Sequence, residues 1–599
     1  MRNWIHPIIL LGALLPLLLL VAVVIQEGSN TPFLDQWDTS LRIALDTIHG
    51  NLSPATLVLP HGDHRIVFTN LVTIVSARLF HWNLYLELFV TIGLAVALLL
   101  LVLKLVRREF PQVVYIVLIP ISSLIFSLRG RHTWMTSFQS CFLFVTLFFL
   151  LGLWTLMRGK VGWRSLLIAT FFAVCCTFSL ANGIIAWFLL FVALLVLGYR
   201  KPAYLIFWIA AAAVSIFLYY SPPYPIAISR PSLLDLPAVV QYALVYLGGM
   251  FRPETEDAIT LQMIILITLA SIVLFLANAW VLWRQKRSLS PLLPWLLIGA
   301  YSAGTAVLTG FGRVTLPLGQ ALSERYVIMA IFWWISLIVL GAAVIHALSQ
   351  NVHLRRSYHL LRFVNVAFFL ALALLMIRAT DYHNRNIKIV NPIAETCYPQ
   401  YLITQDPDLA CLRMVRMDLP YKWLPRVAPV AQERLAIFST VPLSVTLNDL
   451  PFDPIQIAVP EPGYETYDSG GVALPAFFEH APAQVEYALV LPPFYPDAEF
   501  TASLYLDPSN VLKDPGTIQD GVLFSVTVTG ENGDTRRSDA VRFDPHTMSD
   551  PIPFQFDLTD YVGQPIHLRL QTESLASVAY DWALWIDPTI RLSDTMPGS

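Results

Sequence analysis

Charge is scarce in this sequence. Of its 599 residues only 13% are Asp, Glu, Lys or Arg, and they nearly cancel, to a formal net charge of −3. A nucleic-acid partner calls for a basic stripe, which so balanced a chain does not offer. Nucleotide signatures are missing as well. There is no GxxxxGK[ST] and no GxGxxG after a strand, so an ATP-driven cytoplasmic mechanism has no support. Cysteine is rare, with five residues. Cys141, Cys175 and Cys176 lie in apolar runs as small packing residues. Cys397 and Cys411 lie in a polar segment, where they are disulfide candidates if that segment is extracytoplasmic and free thiols if it is not. What abounds is apolar surface: 56% of residues are hydrophobic and the mean hydropathy is +0.61. That balance marks a polytopic α-helical membrane protein.

About eleven apolar runs are long enough to be spans, at roughly 8–25, 84–106, 113–128, 138–157, 165–181, 184–198, 203–220, 261–283, 291–309, 327–348 and 360–378. The first is too long for a signal-peptide core and lacks a small-x-small site before Gln26, so it reads as a retained helix. Placing Arg2 inside puts Arg107-Arg108, Arg158 to Arg164, Arg200-Lys201, Arg284 to Arg287 and His353 to Arg356 in the cytoplasm, as the positive-inside rule requires. Residues 236–251 are apolar too, but counting them as a crossing would invert everything after them. They read as a helix lying at, or dipping into, the outer interface. Residues 1–379 form the membrane domain, with a long first outer loop at 26–83 that holds two interfacial helices. The chain from 380 onward is then extracytoplasmic, with 380–435 a linker of short helices. From 436 to 599 short alternating runs separated by DPSN, DPG and Asn532-Gly533 indicate an antiparallel, jelly-roll-like β-sandwich.

The outer loops collect the chemistry. In FLDQWD, Asp35 sits beside Trp37 at a membrane edge, where a carboxylate can act as a general base or hold a divalent cation. Asp38 reads as the cap of the helix that follows. In PHGDHR, His61, Asp63 and His64 could share a metal, or Asp63 could cap a helix starting near His64, while Arg65 suits a phosphate. In LRGRHTW, Arg129, Arg131 and His132 concentrate positive charge where the positive-inside rule disfavours it. They need a counter-ion: a lipid phosphate, Asp35 or Asp63. Near SERY, Arg325 can grip a phosphate bidentately, and Arg313 pairs with Glu324 in the plainer reading. Asn182, in the turn LANG, is explained by turn chemistry.

The acid just after the first span, the long first outer loop and the outer Arg and His residues together resemble the GT-C superfamily of glycosyltransferases over roughly residues 1–378. The resemblance implies an integral membrane enzyme, in the bacterial type of cytoplasmic membrane, that uses a polyprenyl-phosphate sugar in cell-envelope assembly. It assigns the catalytic base to Asp35 and donor-phosphate binding to Arg65, Arg129, Arg131 and Arg325. The family often carries a second acid next to the first, and here that position is Gln36. The end of the chain resembles galactose-binding-like, carbohydrate-binding sandwiches through DGVLFSVTV, DLTDYVGQPIHLRLQT and DWALWIDPTI. Trp582 and Trp585, three apart, face opposite sides of a strand, so at most one meets a ligand. The expected function is inverting sugar transfer to an extracytoplasmic glycan, lipid or protein. The alternatives are a non-enzymatic scaffold and a glycolipid transporter. A transporter would place ionisable residues deep in several spans, and few are there.

Overall fold

The computed structural model describes residues 2–222, 235–251, 258–286, 288–350, 358–385, 391–415, 424–448, 450–458, 460–469, 472–506, 520–578 and 581–594. The His353 to Arg356 loop and the DPSN and DPG turns lie outside these residues. The chain forms two compact units. The first holds Met1–Gly28 and Asp38–Lys388, the second Ser29–Trp37 and Ile389–Ser599.

Among the described residues of the first unit, eight helices are long and apolar enough to cross a membrane: His6–Glu27, Leu84–Glu109, Pro111–Met135, Ser137–Arg158, Pro202–Tyr220, Ala258–Gln285, Leu293–Arg313 and Glu324–Gln350. This makes the chain an integral membrane protein. The expected count of eleven is not confirmed. The segments at 165–181 and 184–198 are helical, but the apolar helices there, Trp163–Thr177 and Ala181–Val196, fall short of about twenty residues. The segment at 360–378 lies within the 27-residue helix His359–Arg385. The apolar stretch at 236–251 is a twelve-residue helix, Leu236–Leu247, also too short to cross. It is packed in the bundle through Tyr242, Val245 and Tyr246 rather than laid flat on a surface.

Glu324–Gln350 is the hub. It is apolar around its whole circumference, and 94% of its most apolar window is buried, against 17% for the first span. Tryptophan N–H groups tie neighbours to it: Trp333 donates to Ser271 Oγ at 2.9 Å and Trp334 to the Leu247 carbonyl at 2.7 Å. At Gly341 a Cβ would stand 2.5 Å from Phe369, so glycine permits the close approach of His359–Arg385. That helix is joined to Ala258–Lys286 by a reciprocal amide pair, Asn278 with Asn365, at 2.9 Å in both directions. In hydrocarbon such a pair contributes about 1 kcal/mol. Asn278→Leu should therefore lower the stability by about 1 kcal/mol, and adding Asn365→Leu should recover part of the loss. Unfolding titrations in mixed detergent micelles would measure both.

The second unit carries a two-sheet antiparallel sandwich. Its strands are β1 (Leu443–Thr446), β2 (Asp453–Gln456), β3 (Gly463–Ser469), β4 (Val472–His480), β5 (Ala483–Val490), β6 (Asp497–Leu506), β7 (Val522–Gly530), β8 (Thr535–Arg537), β9 (Val541–Phe543), β10 (Ile552–Asp557), β11 (Pro565–Ser574) and β12 (Trp582–Ser593). One sheet runs β10-β6-β12-β4-β3 with β1 on β12, and the other runs β2-β5-β11-β7-β8 with β9 on β7. Alternation sorts the faces: in β5 every second residue from Ala483 to Leu489 is buried. Trp585 is fully buried among Phe500, Phe524 and Phe554, and its indole donates to Glu479 Oε2 at 2.9 Å. Trp582 is half-buried on the opposite face, as three-residue spacing requires. Asn532-Gly533 makes its expected turn, with Gly533 at φ +82°. Ahead of the sandwich lie the helices Asn391–Thr404, Ala410–Val415 and Val427–Gln432. A disulfide joins Cys397 to Cys411.

Candidate functional site

In the first unit, His61 and His64 close a tight turn. The His61 N–H donates to the His64 carbonyl at 2.7 Å, and the reverse bond is 2.9 Å. Gly62, at φ +52°, supplies the left-handed residue the turn needs. Asp63 is a turn residue and caps no helix, because the next helix begins at Val67 behind Ile66. His61 Nδ1 lies 2.6 Å from Thr39 Oγ1, and its ring meets Phe138 edge-on. Asp38 occupies the N-cap position before Thr39, yet its side chain makes no capping bond. The helix starts on the Asp38 carbonyl, which accepts from Arg42 N–H.

Arg65 is buried, and its guanidinium is spent on the chain itself. It donates to the carbonyls of Tyr219 (2.7 Å), Ser221 (2.6 Å) and Val58. These bonds pin the first outer loop to the end of Pro202–Tyr220. Arg129 and Arg131 have acid partners that the sequence reading did not name. Arg131 pairs with Glu27 at 2.6 Å, and Arg129 lies 3.9 Å from Glu324. Glu324 also accepts from the His132 N–H at 3.2 Å, so it serves Arg129 and this loop rather than Arg313. Glu27 ends the first span, where an acid beside a membrane edge was the available signal.

Arg313 and Arg325 differ. Among the described residues neither has a carboxylate partner. Arg325 follows Glu324 at the start of the hub helix and lies over the Tyr326 ring at 5.2 Å. Its Nε is buried without a hydrogen-bond partner. Tyr326 stacks on Tyr246 at 4.9 Å and accepts from Gln320 Nε2 at 3.2 Å, while Tyr242 donates to Gln320 Oε1. Gln320, Tyr242 and Tyr246 were not among the sequence candidates, because nothing in an apolar stretch separates a site tyrosine from a packing one.

His64 connects these groups. It is pushed down to about 4, first by burial and then by the charges of Arg313, His61 and Arg325. Its Nδ1 is buried with no hydrogen-bond partner. Arg313 and Arg325 thus add positive charge around His64, and Arg325 Nε is a buried donor without a partner. Because the folded value lies below the ordinary 6.5, the unfolded chain takes up the proton first. Stability should be full above pH 6.5 and fall by up to about 1.4 kcal/mol per pH unit down to about pH 4. Thermal unfolding at pH 7 and pH 5 would measure this, and His64→Phe should flatten the difference. Among the described residues no three or more His, Cys, Asp or Glu side chains assemble a metal site.

Asp35 belongs to the second unit. It is half-buried in the 3-10 turn Leu34–Trp37, directly after Leu34, whose φ of +47° is left-handed. Gln36 is buried, and its side chain accepts from the Phe33 N–H at 3.0 Å, which closes the turn.

No protein-family model matches this sequence, and no curated protein does. Among solved structures, the arabinosyltransferase EmbB from Mycobacterium smegmatis is similar at 11% identity and a TM-score of 0.30, over 99% of this chain and 65% of that one. A structure of CBM51-2, in complex with GlcNAc, and INT domains from Clostridium perfringens ZmpB is similar at 14% identity and a TM-score of 0.19, over 25% of this chain and 32% of that one. The chain thus spans just under two thirds of the first and about a third of the second. At these scores neither likeness bears on the function.

Proposed function

We propose that this protein is a membrane glycosyltransferase that moves a sugar from a polyprenyl-phosphate donor to an extracytoplasmic hydroxyl acceptor. The observation that carries the reading is the pair Arg313 and Arg325. Among the described residues both lack carboxylate partners, and both bring positive charge to bear on the buried His64. Such a patch is completed by an anion, and a lipid-linked phosphate is the anion available at a membrane edge. In this reading the N-terminus is cytoplasmic and the second unit extracytoplasmic. Asp35 takes the proton of the acceptor hydroxyl. The oxygen attacks the anomeric carbon, the bond to the phosphate oxygen breaks, and the polyprenyl phosphate leaves with the electron pair. Direct displacement inverts the anomeric centre. Arg325 and Arg313 bind the charge that develops on the phosphate, while Arg129 and Arg131, held by Glu324 and Glu27, set the local potential. Arg65 supports the loop.

The test is transfer or release of labelled sugar from a panel of polyprenyl-phosphate sugars by full-length protein in lipid. Wild type should turn over at least one donor, and Arg325→Gln should lower kcat/KM by about 10²-fold. No turnover with any donor, across a panel of acceptor glycans, would sink the reading.

One observation favours a scaffold instead. Tyr467, Tyr505 and Trp582 lie half-buried around Phe478 on the outward face of the β4–β12 sheet. Such rings can stack on sugars. Glycan binding lost in Trp582→Ala, without turnover by wild type, would support it.

A further inference from the structure

The turn that carries Asp35 is a strained segment held by residues far away in the chain. Leu34 adopts a left-handed conformation that a branched side chain avoids, so its surroundings must impose it. Three contacts flank it, all inside the second unit. The Asn30 N–H donates to Glu395 Oε1 at 2.7 Å. The buried Trp37 ring meets Tyr398 edge-on, with centroids 5.1 Å apart. Arg426 donates to the Trp37 carbonyl. The contacts bracket Asp35, one before it and two just after. Glu395 and Tyr398 sit on a single helix, Asn391–Thr404, three residues apart and hence on one face.

That helix is fastened in turn. Cys397, next to Tyr398, is bonded to Cys411 in the following helix. Gln400 Nε2 donates to the Asn448 carbonyl at 2.9 Å and to the Thr446 carbonyl at 3.4 Å, which joins the helix to the end of β1. A continuous set of bonds therefore runs from the sandwich through the disulfide-closed helix pair to the Asp35 turn.

We propose that Glu395, Tyr398 and Arg426 are positioning residues for the Asp35 carboxylate, and that the Cys397–Cys411 disulfide keeps the helix bearing the first two in register. The second unit is on this account the mount of the acid, whatever else it binds. The functional part of the proposal rests on the reading of Asp35 as the base. The structural part does not.

Two measurements on the full-length protein in lipid test the parts separately. The first is amide hydrogen exchange of the segment 29–37 in wild type, Tyr398→Phe, Tyr398→Ala and Cys397→Ser/Cys411→Ser. The Ala and double-Ser variants should exchange about tenfold faster there while strand β7 is unchanged, and Phe, which keeps the ring but loses the hydroxyl bonded to Trp37, should fall between them and wild type. The second is transfer kinetics with a polyprenyl-phosphate sugar. The same two variants should lose about tenfold in kcat with donor KM unchanged, because the acid is displaced and the phosphate patch is not. Unchanged exchange in both variants would overturn the positioning role outright. Faster exchange with full turnover, in these variants and in Asp35→Asn alike, would overturn Asp35 as the base and leave the mechanical link in place.

Discussion

Asp35→Asn should reduce sugar transfer by about 10²- to 10⁴-fold with little change in donor KM, thermal stability or expression. Asn has the size and hydrogen-bonding reach of Asp but cannot accept a proton at neutral pH. The turn around position 35 has fastenings at other residues. Gln36 closes it by accepting from Phe33 N–H, and Trp37 is anchored by Tyr398 and Arg426. A fall confined to kcat would thus report lost proton transfer rather than a collapsed loop. Steady-state kinetics with a labelled donor, beside a melting curve, would measure both quantities. Retained turnover would move the base elsewhere, to Asp38, which is exposed, or to Asp63 in the histidine turn.

Gly183→Ala should prevent accumulation of folded protein. Gly183 closes the turn between Trp163–Thr177 and Ile185–Val196, and its Cα lies against the backbone of Cys176. A Cβ there would sit 1.9 Å from the Cys176 carbonyl oxygen and 2.2 Å from its carbon. Both obstacles are main chain, so no rotamer change relieves them. The two helices would have to part, at a cost above about 3 kcal/mol, which few proteins tolerate. The control is Gly93→Ala in Leu84–Glu109. A Cβ at Gly93 meets nothing within 4 Å, and alanine is the better helix former. Fluorescence-detected size exclusion of the two variants should show a monodisperse peak for Gly93→Ala and aggregate or nothing for Gly183→Ala.

The asymmetry between these glycines was not legible in the sequence. Asn182-Gly183 read only as a turn, because a one-dimensional pattern does not reveal which backbone approaches it. The gross architecture was legible for the opposite reason. Apolar runs and strand alternation are local signals, and they located the helical part and the sandwich, including the separate fates of Trp582 and Trp585. The count of eleven spans is not confirmed, because hydropathy does not distinguish a full crossing from a shorter buried helix such as Trp163–Thr177. At the candidate site the residue types were visible and their partners were not. Glu27 with Arg131, and Glu324 with Arg129, are contacts across 104 and 195 positions, which no spacing rule reaches. Arg65 shows the same limit: two of its carbonyl partners, on Tyr219 and Ser221, lie 154 and 156 positions away, where no spacing rule reaches.

The nine residues Ser29–Trp37 have a further consequence, for synthesis. They leave the ribosome directly after the first span, yet their contacts belong to a unit that resumes at Ile389, about 350 residues later. At roughly 5–20 residues per second, the segment waits about 20–70 s for Glu395, Tyr398 and Arg426 to be made. During that interval Trp37 has no partner ring, and the strain at Leu34 is not yet imposed. The last third of the chain is therefore needed to finish a turn begun within the first forty residues. A nascent chain stopped after its membrane helices would carry the acid without its mount.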